Sequence, residues 1–160
     1  MQRFKSTYWT ASEDDPKSLD KVTEEAYSFI MKNHKEGGKI ILYGYSWGAV
    51  LTNHLAKRLK SQGKSIDLLI TVDMAAGDRS SKLDRTISDN VKFNINYYQT
   101  NADITGARGG PNTVTQGSMT KIINDNETGS AGHGSIDEYV NPAAAKNMLD
   151  YLKGTFHDNF

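Results

Sequence analysis

Residues 39–48 have the sequence KIILYGYSWG, in which a short apolar run leads into a serine framed by two glycines. The β-favouring run at 39–43 is too brief for a buried helix and has glycine on both sides, so it predicts a buried strand. From residue 49 to residue 60 leucines recur every four positions, which predicts a helix, and Gly63 follows as a C-cap. The segment therefore predicts a strand, a sharp turn at the serine, and a helix.

Apolar runs typical of strands and four-residue apolar periods typical of helices recur through the rest of the chain. The chain has 160 residues, which is the size of one domain and long enough to bury a core. Strands that alternate with helices favour a mostly parallel sheet covered on both faces. We therefore predict a single domain over residues 1–160 with a three-layer α/β sandwich fold. The other predicted elements are a short strand at 3–10, a helix from Asp14-Asp15-Pro16 to before Gly37, strands at 66–72 and 91–98, a short helix within 80–90, a long loop at 99–117, a short strand at 119–124, and a final helix capped by Asn141-Pro142 and closed by Gly154.

Composition argues against several classes of protein. Nineteen basic residues balance 19 acidic ones without a basic run, so no nucleic-acid partner is expected. The absence of cysteine excludes disulfides, thiol nucleophiles and thiolate zinc sites. No apolar stretch approaches the ~20 residues of an integral membrane span. No phosphate-binding loop or metal-ligand spacing occurs, so we expect no metal and no cofactor. With Met1 as the native start, the lack of a signal sequence predicts a cytoplasmic location; otherwise the location is unknown.

The segment Gly44-Tyr45-Ser46-Trp47-Gly48 fits the pattern G-x-S-x-G between a strand and a helix. A sharp turn here lifts the serine hydroxyl above the sheet, and the glycines are expected to let neighbouring backbone pass. The helix that follows points the Trp47 amide and its positive end toward the position of an oxyanion. We predict Ser46 as a nucleophile and Trp47 as an oxyanion-hole donor, against the alternative of a chance turn.

A serine nucleophile needs a base, and the chain has four histidines. His34 and His54 lie in predicted helical stretches, where a solvated helix face explains them, and His157 lies near the end of the chain. His133 lies in a glycine-rich loop between the last strand and the final helix. We therefore predict His133 as the base for Ser46.

The third member must be a carboxylate that orients the imidazole. Asp73 directly follows the apolar run 68–72, which places it at the carboxyl edge of the sheet, the same edge as Ser46. Asp103 follows the next strand after a few loop residues and is the alternative acid; Asp78 and Asp137 are weaker candidates. We favour Asp73.

The order Ser46, Asp73, His133, with G-x-S-x-G at the turn, resembles the α/β-hydrolase superfamily, particularly its small lipase-like and esterase-like members. The resemblance spans about residues 17–153, and residues 40–48, 69–73, 90–99 and 133–137 carry it. It implies a serine esterase that cleaves a carboxylic ester by a Ser-His-Asp triad. It also implies a small-molecule or lipid ester as the substrate.

Two departures from the family pattern leave an alternative open. Met74 follows Asp73 where the family usually has proline, and about 16 residues precede the first predicted helix where the family has further strands. One of the loops after those strands supplies the second oxyanion-hole amide in the family. The alternative function is a catalytically incomplete hydrolase fold that serves as a binding or interaction domain, or the C-terminal part of a longer enzyme. An unpaired edge at 3–10 would favour a homodimer.

Overall fold

The computed structural model describes residues 4–157, apart from the side chain of Pro16. Helices and strands alternate along most of its length, as the sequence predicts. None of the described helices is both long and apolar enough to cross a bilayer. In chain order the elements are α1 (Pro16–Asn33), β1 (Ile41–Tyr45), α2 (Trp47–Lys60), β2 (Ile66–Val72), a 3₁₀ turn (Ser80–Lys82), β3 (Thr86–Ile87), β4 (Val91–Tyr98), β5 (Thr113–Val114), β6 (Lys121–Asn126) and α3 (Ile136–Lys153).

The main sheet has four strands in the order β1-β2-β4-β6, and every neighbouring pair is parallel. The short strands β3 and β5 form a separate parallel pair. Because the main strands are parallel, their carboxyl ends lie along one edge of the sheet. Ser46, Asp73 and Gln99 each directly follow a strand of this sheet and so begin at that edge. The predicted parallel α/β fold is confirmed.

Helices cover both faces of the sheet. Leu69 of β2 packs in one apolar cluster with residues of α1 and α2, such as Ala26 and Leu55. Its neighbour Leu68 points to the opposite face and packs in a second cluster with Val140 of α3. Alternate residues of a strand point to opposite faces, so the all-apolar sequence of β2 fits a strand buried on both sides. The result is a sandwich of three layers.

Helix α1 begins where the sequence predicts it. The Asp15 carboxylate accepts a hydrogen bond from the Lys17 amide at 3.0 Å, which satisfies one of the free donors at the helix start. Val22 and Ala26 are buried at the four-residue spacing of an amphipathic helix. Capping and periodicity therefore agree in this element.

The predicted start of the final helix at Asn141-Pro142 is wrong. Helix α3 begins at Ile136, and Pro142 lies inside it. A proline in a helix interior removes one backbone hydrogen bond and crowds the preceding turn. Here Ile136, Val140 and Ala144 are all buried on one stripe against the sheet, and this burial holds the first turn of the helix despite the proline. The predicted end is confirmed, because Gly154 caps α3 in the left-handed conformation.

Other differences from the predicted elements are local. Residues 4–12 form no strand, so β1 is the edge of the main sheet, while residue 3 lies outside the described residues. The last strand runs from 121 to 126 rather than from 119 to 124. The short helix expected within 80–90 is a single 3₁₀ turn followed by β3, and the loop expected at 99–117 contains the two residues of β5.

Candidate active site

Ser46 occupies the single position between β1 and α2 and has a φ of 54°. Positive φ is costly for a residue with a side chain, so surrounding contacts must hold it. The Ser46 amide donates to the Val72 carbonyl at 2.9 Å, and the Ser46 carbonyl accepts from the Ala49 amide at 3.0 Å. These two bonds tie the strained residue to β2 on one side and to α2 on the other.

The two glycines of the motif differ in their role. A Cβ on Gly44 would lie 2.4 Å from the Gly48 carbonyl oxygen and 2.7 Å from the Ala49 Cα, so only glycine lets α2 approach β1 this closely. A Cβ on Gly48 would meet no atom within 4 Å. The expected backbone clash therefore exists at Gly44, whereas at Gly48 the expectation is wrong because this residue faces open space.

His133 lies in the turn that directly precedes α3, with its Nε2 2.9 Å from the Ser46 Oγ. The Tyr45 hydroxyl donates to the backbone carbonyl of His133, and the two rings stack at 5.4 Å with a tilt of 31°. Burial, followed by the negative charges of Asp137 and Asp73, raises the pKa of the Tyr45 phenol, which keeps it a neutral donor. Tyr45 therefore fixes the backbone of His133 beside Ser46.

Asp73 directly follows β2 and is fully buried, with a φ of 46°. Its Oδ2 lies 2.7 Å from His133 Nδ1, and its backbone amide donates to the Tyr97 carbonyl at 2.7 Å. Ser46 and Asp73 are the only non-glycine residues at positive φ in the described part of the chain. The strain thus falls on the two residues that contact the His133 ring from opposite sides.

The alternative acids lie elsewhere. The Asp103 carboxylate is exposed and accepts from the Thr105 amide (2.8 Å), the Thr105 hydroxyl (2.6 Å) and the Ala107 amide (3.0 Å) of its own turn. The Thr105 hydroxyl first, then the two amides, lower the pKa of Asp103. Asp137 accepts from the Tyr43 hydroxyl on the first turn of α3, and Asp78 is exposed. The structure brings Asp73 to His133, and it does not bring these three residues there.

The other three histidines lie in other parts of the structure and form no hydrogen bond to Ser46 among the described residues. His34 Nε2 lies 2.9 Å from the Gly38 carbonyl oxygen, at the end of α1. His54 is exposed on α2, and His157 is exposed after α3. Among residues 4–157 no group of three or more acidic or histidine side chains is arranged to hold a metal ion.

Trp47 is the first residue of α2, so its amide belongs to the first turn, whose N–H groups have no acceptor within the helix. The positive end of the helix dipole adds to its attraction for an anion beside Ser46. The second donor that the resemblance implies comes from a loop ahead of α1. Residues 4–15 contain no helix or strand, so the described chain has no strand that would carry such a loop.

Gln99 and Gly109 also contact Asp73, and the sequence analysis missed both. Gln99 is fully buried, and its backbone amide (3.0 Å) and side-chain amide (2.7 Å) donate to the Asp73 carboxylate. A signal for Gln99 was present, because it follows β4 as directly as Asp73 follows β2. Gly109 lies in the long loop, where no local pattern reveals its contact with Asp73.

A model of the thioesterase domain matches residues 5–116. The match includes Ser46, Asp73 and Gln99, whereas His133 lies beyond it. No curated protein and no solved structure matches the chain significantly. Because the match covers more than half of the chain, and the parallel sheet with flanking helices agrees with it, the chain belongs to the thioesterase domain family, whose members are ester-cleaving hydrolases of the α/β-hydrolase superfamily.

Proposed function

We propose that this chain is a serine hydrolase that transfers the acyl group of a carboxylic thioester or ester to Ser46 and then to water. The observation that carries the proposal is the continuous hydrogen-bonded chain from Ser46 Oγ to His133 Nε2 (2.9 Å) and from His133 Nδ1 to Asp73 Oδ2 (2.7 Å). A nucleophile, a base and an orienting carboxylate within hydrogen-bond reach are the elements of a catalytic triad.

In the acylation step Ser46 Oγ attacks the acyl carbonyl carbon while His133 Nε2 takes the hydroxyl proton. The buried carboxylate of Asp73 holds Nδ1 protonated, which leaves Nε2 free to accept. The Trp47 amide stabilises the negative charge on the carbonyl oxygen. Collapse of the tetrahedral intermediate expels the thiol or alcohol, which receives its proton from His133.

In the deacylation step His133 takes a proton from water, and the resulting hydroxide attacks the acyl-serine. Collapse releases the carboxylic acid and returns the proton to Ser46. The family match favours thioesters over oxygen esters as the substrate class. A thioester carbonyl is less stabilised by resonance than an oxygen ester, and its thiol leaves more easily, so the chemistry demands less of the oxyanion hole.

The first test is covalent labelling with a fluorophosphonate, followed by mass mapping of the modified peptide. We expect modification of Ser46 in the folded protein and its loss in Ser46→Ala. Ser61→Ala, which removes an exposed serine next to α2, is the matched control and should leave labelling unchanged. Labelling that survives Ser46→Ala would show that another residue reacts.

The second test compares a short-chain acyl thioester of N-acetylcysteamine with the p-nitrophenyl ester of the same acid. We expect Ser46-dependent turnover of both and a higher kcat/KM for the thioester relative to its uncatalysed rate. Failure to turn over either class, together with failure to label Ser46, would overturn the proposal and favour the binding-domain alternative.

A further inference from the structure

Three hydrogen bonds reach the Asp73 carboxylate, and Gln99 supplies two of them. The Gln99 backbone amide donates to Oδ1 at 3.0 Å, and the Gln99 side-chain amide donates to Oδ2 at 2.7 Å. His133 Nδ1 contacts the same Oδ2 at 2.7 Å. One carboxylate oxygen is therefore shared between the imidazole and the Gln99 side chain.

The amide orientation of Gln99 is fixed by this contact. Its Oε1 is buried and has no hydrogen-bond partner among the described residues. The reverse orientation would direct Oε1 at the carboxylate and repel it. A buried acceptor without a partner lowers the stability of the fold. The observed orientation accepts this loss at Oε1 and directs the side-chain N–H donor at Asp73.

Gly109 closes the remaining side of the carboxylate. Its amide donates to the Gln99 carbonyl at 2.9 Å, and a Cβ at this position would lie 2.1 Å from Asp73 Oδ1. The next residue, Gly110, is anchored to the sheet because its carbonyl accepts from the Asn96 side chain at 2.9 Å. The loop thus packs directly on Asp73 and excludes water from it.

Charged groups around this carboxylate come from several elements. His133 approaches from the turn before α3, and Tyr45 at the end of β1 stacks on its ring. Arg85, before β3, is half-buried and donates to the carbonyl oxygens of Met74 and Arg108. Burial lowers the pKa of Arg85, whereas the negative charge of Asp73 raises it, so the guanidinium feels that carboxylate without a direct bond to it.

We propose that Gln99 is a positioning residue, whose side-chain amide holds Asp73 Oδ2 against His133 and weakens its pull on the imidazole proton. The inference rests on the proposed triad. Without the amide, the carboxylate loses a donor and binds the imidazolium proton more tightly. His133 would then stay protonated to higher pH, where it does not act as a base.

The test uses Gln99→Leu, which removes the donor, and Gln99→Glu, which replaces it with an acid of the same shape. In the pH profile of kcat/KM, the acid limb is the rise in activity as the base loses its proton. We expect this limb to move to higher pH by about 0.5–1 unit in Gln99→Leu. In Gln99→Glu the new carboxyl group keeps its proton, because two buried carboxyl groups in contact do not ionise together, and it donates to Oδ2 in place of the amide. The acid limb of this variant should therefore stay near its wild-type position. We also expect kcat to fall about tenfold in Gln99→Leu with little change in KM.

Asn53→Leu is the matched control. Asn53 is a buried amide on α2 that donates to the Thr86 carbonyl at 3.0 Å, which is a hydrogen bond outside the triad. Its loss should lower the melting temperature and leave the acid limb in place. An unmoved acid limb in Gln99→Leu, or Gln99 variants that fail to fold at all, would overturn the proposal and leave Gln99 as a core residue.

A second readout separates this proposal from the proposed function. The titration of the His133 ring, followed by NMR in the Ser46→Ala background, requires no turnover. If the wild-type protein hydrolyses nothing, a titration midpoint that moves upward in Gln99→Leu and stays near wild type in Gln99→Glu still supports the role of Gln99. A midpoint unchanged by Gln99→Leu would contradict that role even in an active enzyme.

Discussion

The phenol of Tyr45 donates a hydrogen bond to the backbone carbonyl of His133, and the two rings lie 5.4 Å apart. Tyr45 is the last residue of β1 and the neighbour of Ser46. The same strand end therefore positions Ser46 and the backbone of His133. This hydrogen bond joins two segments that are 88 residues apart in the chain.

Tyr45→Phe should preserve the ring contact and remove only the hydrogen bond. Loss of one such bond costs about 0.5–1.5 kcal/mol of stability, and a looser His133 should lower kcat about three- to tenfold. Steady-state kinetics and thermal melting measure the two effects. Tyr139→Phe removes an exposed hydroxyl from α3 and should change neither. A Tyr45→Phe variant with unchanged kcat would show that the turn before α3 holds His133 without help.

The choice of acid can be tested with isosteric amides. Asp73→Asn should lower kcat by ~10⁴, because the amide favours the wrong tautomer of His133. Asp103→Asn is the control, because Asp103 bonds within its own turn, and its kcat should stay within a few-fold of wild type. Melting temperatures must accompany the kinetics, since Asp73 is buried. The opposite ranking of the two variants would make Asp103 the acid.

The sequence predicts the elements near Ser46 because their signals are local. An apolar run, a glycine-framed turn and a four-residue leucine period all lie within residues 39–60, and neighbouring residues determine each of them. The position of Asp73 follows from one further rule, that parallel strands end at the same edge. In the structure a strand, a turn at Ser46 and a helix occupy this segment, and Asp73 lies at the carboxyl end of β2.

The sequence does not predict contacts that long-range packing creates. The start of α3 depends on burial of Ile136 against β2 and β4, which overrides the local signal of Pro142. Gly109 contacts Asp73 because Asn96 anchors its loop to the sheet, which cannot be read from residues adjacent to Gly109. These contacts can be identified only once the complete fold is known.

The free energy of unfolding should fall in alkaline solution, because the Tyr43 phenol ionises less readily in the folded protein than in the unfolded chain. Burial, then the hydrogen bond to Asp137 and its charge, raise the pKa of the Tyr43 phenol above its ordinary value of 10.0. Below pH 10 the phenol is protonated in both states, so this contribution is fully present. Above it the unfolded chain loses the proton first, and the free energy of unfolding falls as pH rises through the folded pKa.

Denaturant titrations between pH 8 and pH 11 measure this fall. We expect a shallower fall in Tyr43→Phe, which has no phenol at this position. Asp137→Asn should also make it shallower, because it removes the negative charge that opposes ionisation. An alkaline slope equal to that of wild type in both variants would show that other tyrosines account for it.

The two glycines of the turn should respond differently to alanine. Gly44→Ala places a Cβ 2.4 Å from the Gly48 carbonyl oxygen, so β1 and α2 must separate, and we expect a loss of at least about 2 kcal/mol of stability together with loss of Ser46 labelling. Gly48→Ala meets no atom within 4 Å and lies inside α2, where alanine is favoured over glycine by about 0.5–1 kcal/mol. It should therefore leave stability unchanged or raise it. Chemical denaturation of the two variants provides a direct comparison, because the substitution is the same and only its surroundings differ. Equal destabilisation by both substitutions would contradict the close approach of α2 to β1 at Gly44.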